Sequence, residues 1–123
     1  QRPYKWKAKN INQLIDDILF HKDKQGYRLG TLVLHDDKSN LNIVDGQQRV
    51  ITIFLLAYCL SERKKLNIKI DFSKFYFDNK ISKNNIKNNY SLIKSRIEEF
   101  DNFNIDFFKN KCQLVKVVID DVQ

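Results

Sequence analysis

Apolar residues spaced three or four positions apart predict two helices, one in each half of the chain. Asn10, a residue type that often caps helix N-termini, precedes the first helix, and Lys24-Gln25-Gly26 ends it. The apolar stripe of this first helix consists of Ile11, Leu14, Ile15, Ile18 and Leu19. The polar segment 79–89 is predicted to be a loop that runs into the later helix. The stripe of that helix consists of Ile86, Tyr90, Ile93, Ile97 and Phe100.

A further helix is predicted from Gln47 to about Lys64, and it is apolar on nearly every side between Val50 and Leu60. A helix that is apolar all round lies at the centre of a domain. We therefore expect this helix to be the most buried element, with the following side chains in the core: Ile53, Phe54, Leu56, Ala57 and Leu60. Its apolar run is too short to cross a bilayer, which takes about 20 residues.

Alternating and β-branched segments predict the strands. Arg28–His35 and Leu41–Val44, joined by a polar turn, form a predicted hairpin, and Leu114–Ile119 is apolar throughout, as in a buried strand. Weaker patterns predict extended pieces within residues 68–77 and a short helical turn at Phe103–Phe108. Together these elements predict an α+β domain with a small mixed sheet, the helix 47–64 packed against it, and further packing helices.

Length and composition fit one such domain over residues 1–123, because 42% of the 123 residues are hydrophobic. The net charge of +7 is compatible with a polyanionic partner, but the cations are scattered, and a solvated lysine-rich surface explains the charge equally well. Cys59 and Cys112 are the two cysteines, and we expect buried free thiols in a soluble, cytoplasmic protein.

One dense polar group stands between an apolar strand and an apolar helix, namely Asp45, Gly46, Gln47, Gln48 and Arg49. A strand, a glycine turn and a helix in that order direct free helix N–H groups beyond the strand end, and such ends favour anions. The planar guanidinium of Arg49 matches phosphate. The structural alternative is a polar turn in which Asp45 caps the helix and Arg49 pairs with a surface acid. Position alone leaves both interpretations open.

Three segments resemble a known family. Asp45-Gly46-Gln47-Gln48-Arg49 resembles the DGQQR signature of the ParB/sulfiredoxin-like domain found in GmrSD-type, modification-dependent restriction enzymes. Gln1-Arg2-Pro3-Tyr4-Lys5-Trp6 is similar to the N-terminal Q-R-x-Y-x-W element of that family. Tyr27–Leu34 is similar to its element in which Leu-Gly-Thr opens a strand. The three segments occur in the order of the family.

The resemblance implies a ParB/sulfiredoxin-like fold and a module that binds and hydrolyses NTP, regulating DNA cleavage in a phage-defence restriction system. It implies catalytic roles for Asp45, Gln47, Gln48 and Arg49, and nucleotide binding by Gln1, Arg2, Tyr4, Gly30, Gly46 and Thr52. The Gln side chains would orient water or hold phosphate, Arg49 would stabilise the transition state, and Asp45 would hold a metal ion such as Mg²⁺ or polarise a water. The implied partners are modified foreign DNA and a nuclease domain or subunit, with a homo-oligomer as a further expectation.

Other features leave alternatives open. Tyr4 and Trp6 are expected to staple the N-terminus to the core and to shape the site that Gln1 and Arg2 reach, with a functional role for Arg2 and a structural one for Trp6. Base stacking by Tyr4 or Trp6 is the alternative. The chain contains no Gly-x-x-x-x-Gly-Lys-Ser/Thr segment, so a Walker-type phosphate loop is excluded. Ile51 stands where many family members have the first of two Thr, and we expect the chain to be an N-terminal fragment of a longer protein. The alternative function is a non-catalytic DNA-binding or DNA-sensing module.

Overall fold

The computed structural model describes residues 4–36, 41–63 and 80–120, with the side chains of 41–45, 80–82 and 120 outside that description. In chain order the elements are α1 (Ala8–Phe20), β1 (Tyr27–Asp36), β2 (Leu41–Asp45), α2 (Gln47–Glu62), α3 (Lys80–Arg96), a 3₁₀ turn (Ile97–Glu99), α4 (Asn102–Asn110) and β3 (Cys112–Asp120). This mixture confirms the α+β class. The extended pieces predicted within 68–77 lie outside the described residues.

Within the described ranges, β1 is the central strand of a three-stranded sheet whose order is β2-β1-β3. It pairs antiparallel with β2, which confirms the predicted hairpin, and parallel with β3, so the sheet is mixed. The register with β3 shifts between Arg28 and Gly30, which leaves Leu29 as the extra residue of a bulge. A bulge bends its strand and redirects the neighbouring side chains. This one lies beside Gly30, where β1 meets Arg49.

α1 begins earlier than the sequence predicted. The prediction that Asn10 is the N-cap is wrong, because the helix starts at Ala8 and Asn10 lies inside its first turn. The side-chain Oδ1 of Asn10 accepts a hydrogen bond from the backbone N–H of Lys7 over 3.0 Å, so it serves the helix start from within the helix. The predicted apolar stripe is confirmed by the buried residues Ile11, Leu14, Ile15 and Ile18.

α2 is the most buried of the described helices, but not on every side. Leu56 and Leu60 have no exposed surface and Ala57 is also buried, as predicted. The prediction is wrong for Ile53 and Phe54, which are half-buried because they line an apolar cleft of about 270 Å³ between α2, α4 and the strands β1 and β3. None of the helices in the described ranges combines the length and the apolarity needed to cross a membrane.

Two segments differ from their predicted structures. The polar segment predicted to be a loop is helical from Lys80 onward, and its polarity misled because two of its Asn side chains are buried in hydrogen bonds. β3, predicted to be buried, lies at the edge of the sheet that the described strands form, and its residues Val117, Val118 and Ile119 are 42%, 44% and 46% exposed. An apolar run alone does not separate a covered strand from an edge strand.

The two cysteines are free thiols, as predicted. Cys59 is buried and Cys112 is half-buried. Burial raises the pKa of each thiol to about 12. Because the thiolate is the reactive form, a raised pKa lowers the fraction of each thiol that can act as a nucleophile at neutral pH.

Candidate functional site

Arg49 lines a cleft of about 240 Å³ that lies between α1, the start of β1 and the first turn of α2. The walls differ in chemistry, since α1 supplies amide and acidic groups while β1 and α2 supply cations. The polar and aromatic lining comprises Trp6, Asn10, Gln13, Asp17, Tyr27, Arg28 and Arg49. Asn10, Gln13, Asp17 and Arg28 were not among the predicted site residues. Only the helical spacing of Asn10, Gln13 and Asp17 hinted at a shared face.

The side chain of Arg49 is held between a glycine and a tryptophan. Its Cζ lies 5.6 Å from the centroid of the Trp6 ring, within the range of a cation–π contact. A Cβ on Gly30 would lie 2.6 Å from Arg49 Cδ and 3.0 Å from Nε, so only glycine leaves room for the arginine at this point of β1. No acid pairs with Arg49 among the side chains that the structure describes, which argues against the surface ion pair of the structural alternative.

Gly46 forms the tight exit from β2 that the sequence predicted. It is the N-cap of α2 and has a φ of 93°, in the left-handed region that favours glycine. A Cβ there would lie 2.6 Å from the carbonyl oxygen of Thr31. The alternative in which Asp45 caps the helix is wrong, because the cap position belongs to Gly46. The side chain of Asp45 lies outside the described residues, so its metal-binding role stays a prediction.

Gln48 holds the N-terminal segment, defined here as Tyr4, Lys5 and Trp6. Its Oε1 accepts hydrogen bonds from the backbone N–H groups of Lys5 over 2.7 Å and of Trp6 over 3.1 Å. Gln47 is buried, and neither glutamine lines the Arg49 cleft. Their predicted roles in orienting water or holding phosphate therefore stay predictions. Among the side chains of the DGQQR segment that the structure describes, only that of Arg49 lines the cleft.

Tyr4 lies at the centre of a buried polar network. Its ring has no exposed surface, so the alternative in which Tyr4 stacks on a base is wrong. Its hydroxyl lies 2.7 Å from Thr52 Oγ1 and accepts a hydrogen bond from Asn89 Nδ2 over 2.9 Å, while Thr52 Oγ1 donates to the carbonyl oxygen of Gln48 over 2.9 Å. Burial raises the pKa of Tyr4. Tyr4 and Thr52 thus bind one another, and direct nucleotide contact by them stays a prediction.

Two buried asparagines of α3, which were not predicted as site residues, complete this network. Asn85 Nδ2 donates to the carbonyl oxygen of Tyr4 over 2.8 Å, and Asn89 Nδ2 donates to the carbonyl oxygen of Trp6 over 2.8 Å. Their spacing of one helical turn was the only available signal, and it lay inside an Asn- and Lys-rich segment.

Gln1 and Arg2, both predicted to bind nucleotide, lie outside the described residues.

The α1 wall carries its own hydrogen bond and affects the nearby phenol. Gln13 Nε2 donates to Asp17 Oδ1 over 2.8 Å, and Asp17 is half-buried. Burial raises the pKa of Tyr27, and the negative charge of Asp17 raises it further, whereas the positive charge of Arg49 lowers it. Asp17 and Arg49 therefore act on one side chain from opposite walls of the cleft.

The family model for the N-terminal domain of the GmrSD restriction endonuclease matches residues 1–123, the whole chain. The chain belongs to this family. No curated protein and no solved structure matches the chain. As a GmrSD N-terminal domain it is a module of a restriction system, which implies a DNA substrate for the system and a nuclease domain as its partner. The resemblance that the DGQQR segment carried is thereby confirmed at the level of the family.

Proposed function

We propose that this GmrSD N-terminal domain binds the triphosphate of an NTP at Arg49, hydrolyses it, and so regulates DNA cleavage by its nuclease partner. The observation that carries the proposal is a guanidinium held over the Trp6 ring in the wall of a cleft that Arg28 also lines. Phosphoryl transfer is catalysed largely by positioning and by stabilising the charge on the transferred group. An arginine with a fixed side chain suits both tasks because its planar fork matches phosphate oxygens.

The chemistry of the cleft suggests how a nucleotide would be divided between its walls. Arg28 and Arg49 would bind phosphate oxygens, and the amide and carboxylate groups of α1 would bind the base or the ribose. A cleft of about 240 Å³ is smaller than the sites that enclose whole ligands, so it would hold part of the nucleotide. Mg²⁺ would enter bound to the phosphates, as is common for this ion.

The proposal is tested by NTP turnover in Arg49 variants. Arg49→Ala should lower turnover by about 10²-fold, as for the loss of one donor to a developing charge. Arg49→Lys should recover part of the rate, because it restores the charge but not the fork. The matched control is Arg63→Ala, which removes an exposed arginine that follows α2 and pairs with Glu98 at 3.3 Å.

Regulation of the nuclease is tested in the complete restriction enzyme. NTP-dependent DNA cleavage should be lost in Arg49→Ala and kept in Arg63→Ala, with circular dichroism showing that both variants fold. Turnover that is the same in Arg49→Ala and in the wild-type chain would refute the catalytic role of Arg49.

A second candidate, non-catalytic DNA binding, is favoured by a row of aromatic rings at the end of α1 whose outermost ring, that of Phe20, is exposed. Phe20 is 81% exposed and meets His21 edge to face, with ring centroids 5.0 Å apart. His21 stacks on Tyr27 at 4.3 Å, and Lys24 Nζ lies 5.9 Å from the centroid of the Tyr27 ring. Exposed aromatic rings beside cations bind unpaired bases of a nucleic acid strand.

The DNA-binding candidate is tested with single-stranded DNA and fluorescence anisotropy. Phe20→Ala should weaken binding by about 10-fold, since stacking of one base on an aromatic ring contributes about 1–3 kcal/mol. Phe103→Ala is the matched control, because Phe103 is also exposed, at 52%, but lies on α4. Equal affinity of the two variants would count against this surface. A wild-type chain that binds DNA without any NTP turnover would favour the second candidate over the first.

A further inference from the structure

We infer that α3 is a positioning element of the Arg49 site: Asn85 and Asn89 hold the N-terminal segment so that the Trp6 ring lies beneath the guanidinium. The inference rests on the proposed function in taking Arg49 as the phosphate-binding group. It goes beyond the proposed function by assigning a positioning role to residues outside the DGQQR segment. The asparagines would touch no ligand themselves and would act through the backbone on either side of Trp6.

The backbone of the N-terminal segment is bound by side chains of two helices. α3 holds its carbonyl groups, through Asn85 at Tyr4 and Asn89 at Trp6, each over 2.8 Å. α2 holds its N–H groups, through the Oε1 of Gln48. Asn85 and Asn89 are four residues apart and therefore share one face of α3. The segment thus lies between two helices that bind opposite polar groups of its main chain.

Burial makes these contacts costly to leave unmade. Asn85 is 7% exposed and Asn89 is 3% exposed, and an unpaired amide at such a site would lose its hydrogen bonds to water without replacement. Within the part of the chain that the structure describes, no buried side-chain nitrogen or oxygen lacks a hydrogen-bond partner. The Tyr4 hydroxyl links Asn89 to Thr52, so α2 and α3 meet at the same point.

The position of Trp6 explains why this network serves the site as well as the core. Tyr4 is fully buried, whereas Trp6 is half-buried and lines the cleft that contains Arg49. Gln48, which binds the Trp6 N–H, is the sequence neighbour of Arg49. A shift of the segment would therefore change the distance between the indole and the guanidinium.

The first test uses Trp6 emission, because Trp6 is the single tryptophan of the 123-residue chain. Arg49→Ala should change the Trp6 emission of the wild-type chain, since it removes the cation over the ring. In an Asn89→Ala background the same Arg49 substitution should change the emission much less, because the ring has already left the guanidinium. Emission changes that simply add in the double variant would overturn the inference, and this comparison needs no ligand.

The matched control is Asn104→Ala, which removes the same side chain from a site of similar burial. Asn104 is 4% exposed and serves the start of α4, where its Oδ1 accepts a hydrogen bond from the Asp101 N–H over 3.3 Å. A purely structural role for Asn89 predicts that both variants lose thermal stability and nothing else. A positioning role predicts that only Asn89→Ala removes the dependence of Trp6 emission on Arg49.

The second test measures binding of inorganic tripolyphosphate, which does not absorb where tryptophan is excited. Asn89→Ala should weaken binding by about 10-fold, and Asn104→Ala should bind as the wild-type chain does. A wild-type chain that does not bind tripolyphosphate would refute the proposed function, while the emission test would still decide the positioning role. Equal binding by the wild-type chain and Asn89→Ala would refute the positioning role alone. Asn85→Ala carries the same predictions and replaces Asn89→Ala should the latter fail to fold.

Discussion

At the scale of single residues, the two glycines of the site are needed for different reasons. Gly46 has a positive φ, and a Cβ there would meet the main-chain oxygen of Thr31, which cannot move without distorting β1. A Cβ on Gly30 would instead meet the side chain of Arg49. Gly46 is therefore required by the turn between β2 and α2. Gly30 is required by the place that Arg49 occupies.

Gly30→Ala should displace Arg49 from Trp6 while leaving the fold intact. The obstacle is a side chain with an exposed end, so we expect a loss of stability below about 1 kcal/mol. Affinity for tripolyphosphate should fall by about 10-fold, as titration of Trp6 emission would show. Gly26→Ala is the control, because its Cβ would lie 3.2 Å from Gln113 Nε2 and away from Arg49. Unchanged affinity in Gly30→Ala would show that the position of Arg49 does not matter for anion binding.

At the scale of elements, periodic patterns in the sequence predicted the features that depend only on residues near one another in the chain. The apolar stripe of α1 and the hairpin of β1 and β2 follow from spacing within a short window, and both are confirmed. The helical start of α3 and the site residues on it could not be predicted in this way. Asn85 binds Tyr4 across 81 positions of the chain, and no local pattern marks such a contact. The sequence therefore indicated that Arg49 lies in the first turn of α2 at the site, but not that side chains of α3 hold the N-terminal segment beside it.

A second inter-element contact has a pH dependence that can be measured. Arg96 at the end of α3 binds Asp16 of α1 and Glu99 of the 3₁₀ turn, each over 2.7 Å. The hydrogen bond from Arg96 lowers the pKa of Glu99 below its ordinary value of 4.5. The ionised carboxylate therefore stabilises the fold above that pH. The contribution is lost as the pH falls through the lower pKa of the folded state.

Glu99→Gln should accordingly flatten the loss of stability at acid pH. Glu99 is 48% exposed, and solvent screening limits the effect to a few tenths of a kcal/mol. Urea unfolding from about pH 6 to about pH 3 would measure it. The control is Glu98→Gln, which changes the adjacent, more exposed glutamate that pairs with Arg63. Equal acid sensitivity of Glu99→Gln and the wild-type chain would show that the Arg96 contact does not contribute.

At the scale of the whole molecule, the two clefts share a residue. Leu29, the extra residue of the β1 bulge, lines both the polar cleft of Arg49 and the apolar cleft of Ile53 and Phe54. The bulge thus lies where both clefts meet the sheet, and a change in its geometry would alter both clefts.

The net charge of the chain acts over a larger distance than these contacts. A net charge of +7 attracts any polyanion, whether it is a nucleotide or a DNA strand.

Salt dependence separates these two polyanions. DNA bound mainly by charge releases counterions from each contacted phosphate, so its affinity should fall linearly with salt on logarithmic axes, with a slope set by the number of contacts. Tripolyphosphate bound by Arg28 and Arg49 should show a shallower slope, because the cleft supplies few cations. Lys24→Ala should lower the DNA slope by about 1 and leave tripolyphosphate binding unchanged, because Lys24 lies beside the aromatic rings at the end of α1 and does not line the cleft. Arg49→Ala should instead weaken tripolyphosphate binding and leave the salt slope of DNA binding unchanged. Absence of DNA binding at low salt in the complete protein would remove the DNA-binding candidate and leave the nucleotide cleft as the functional surface.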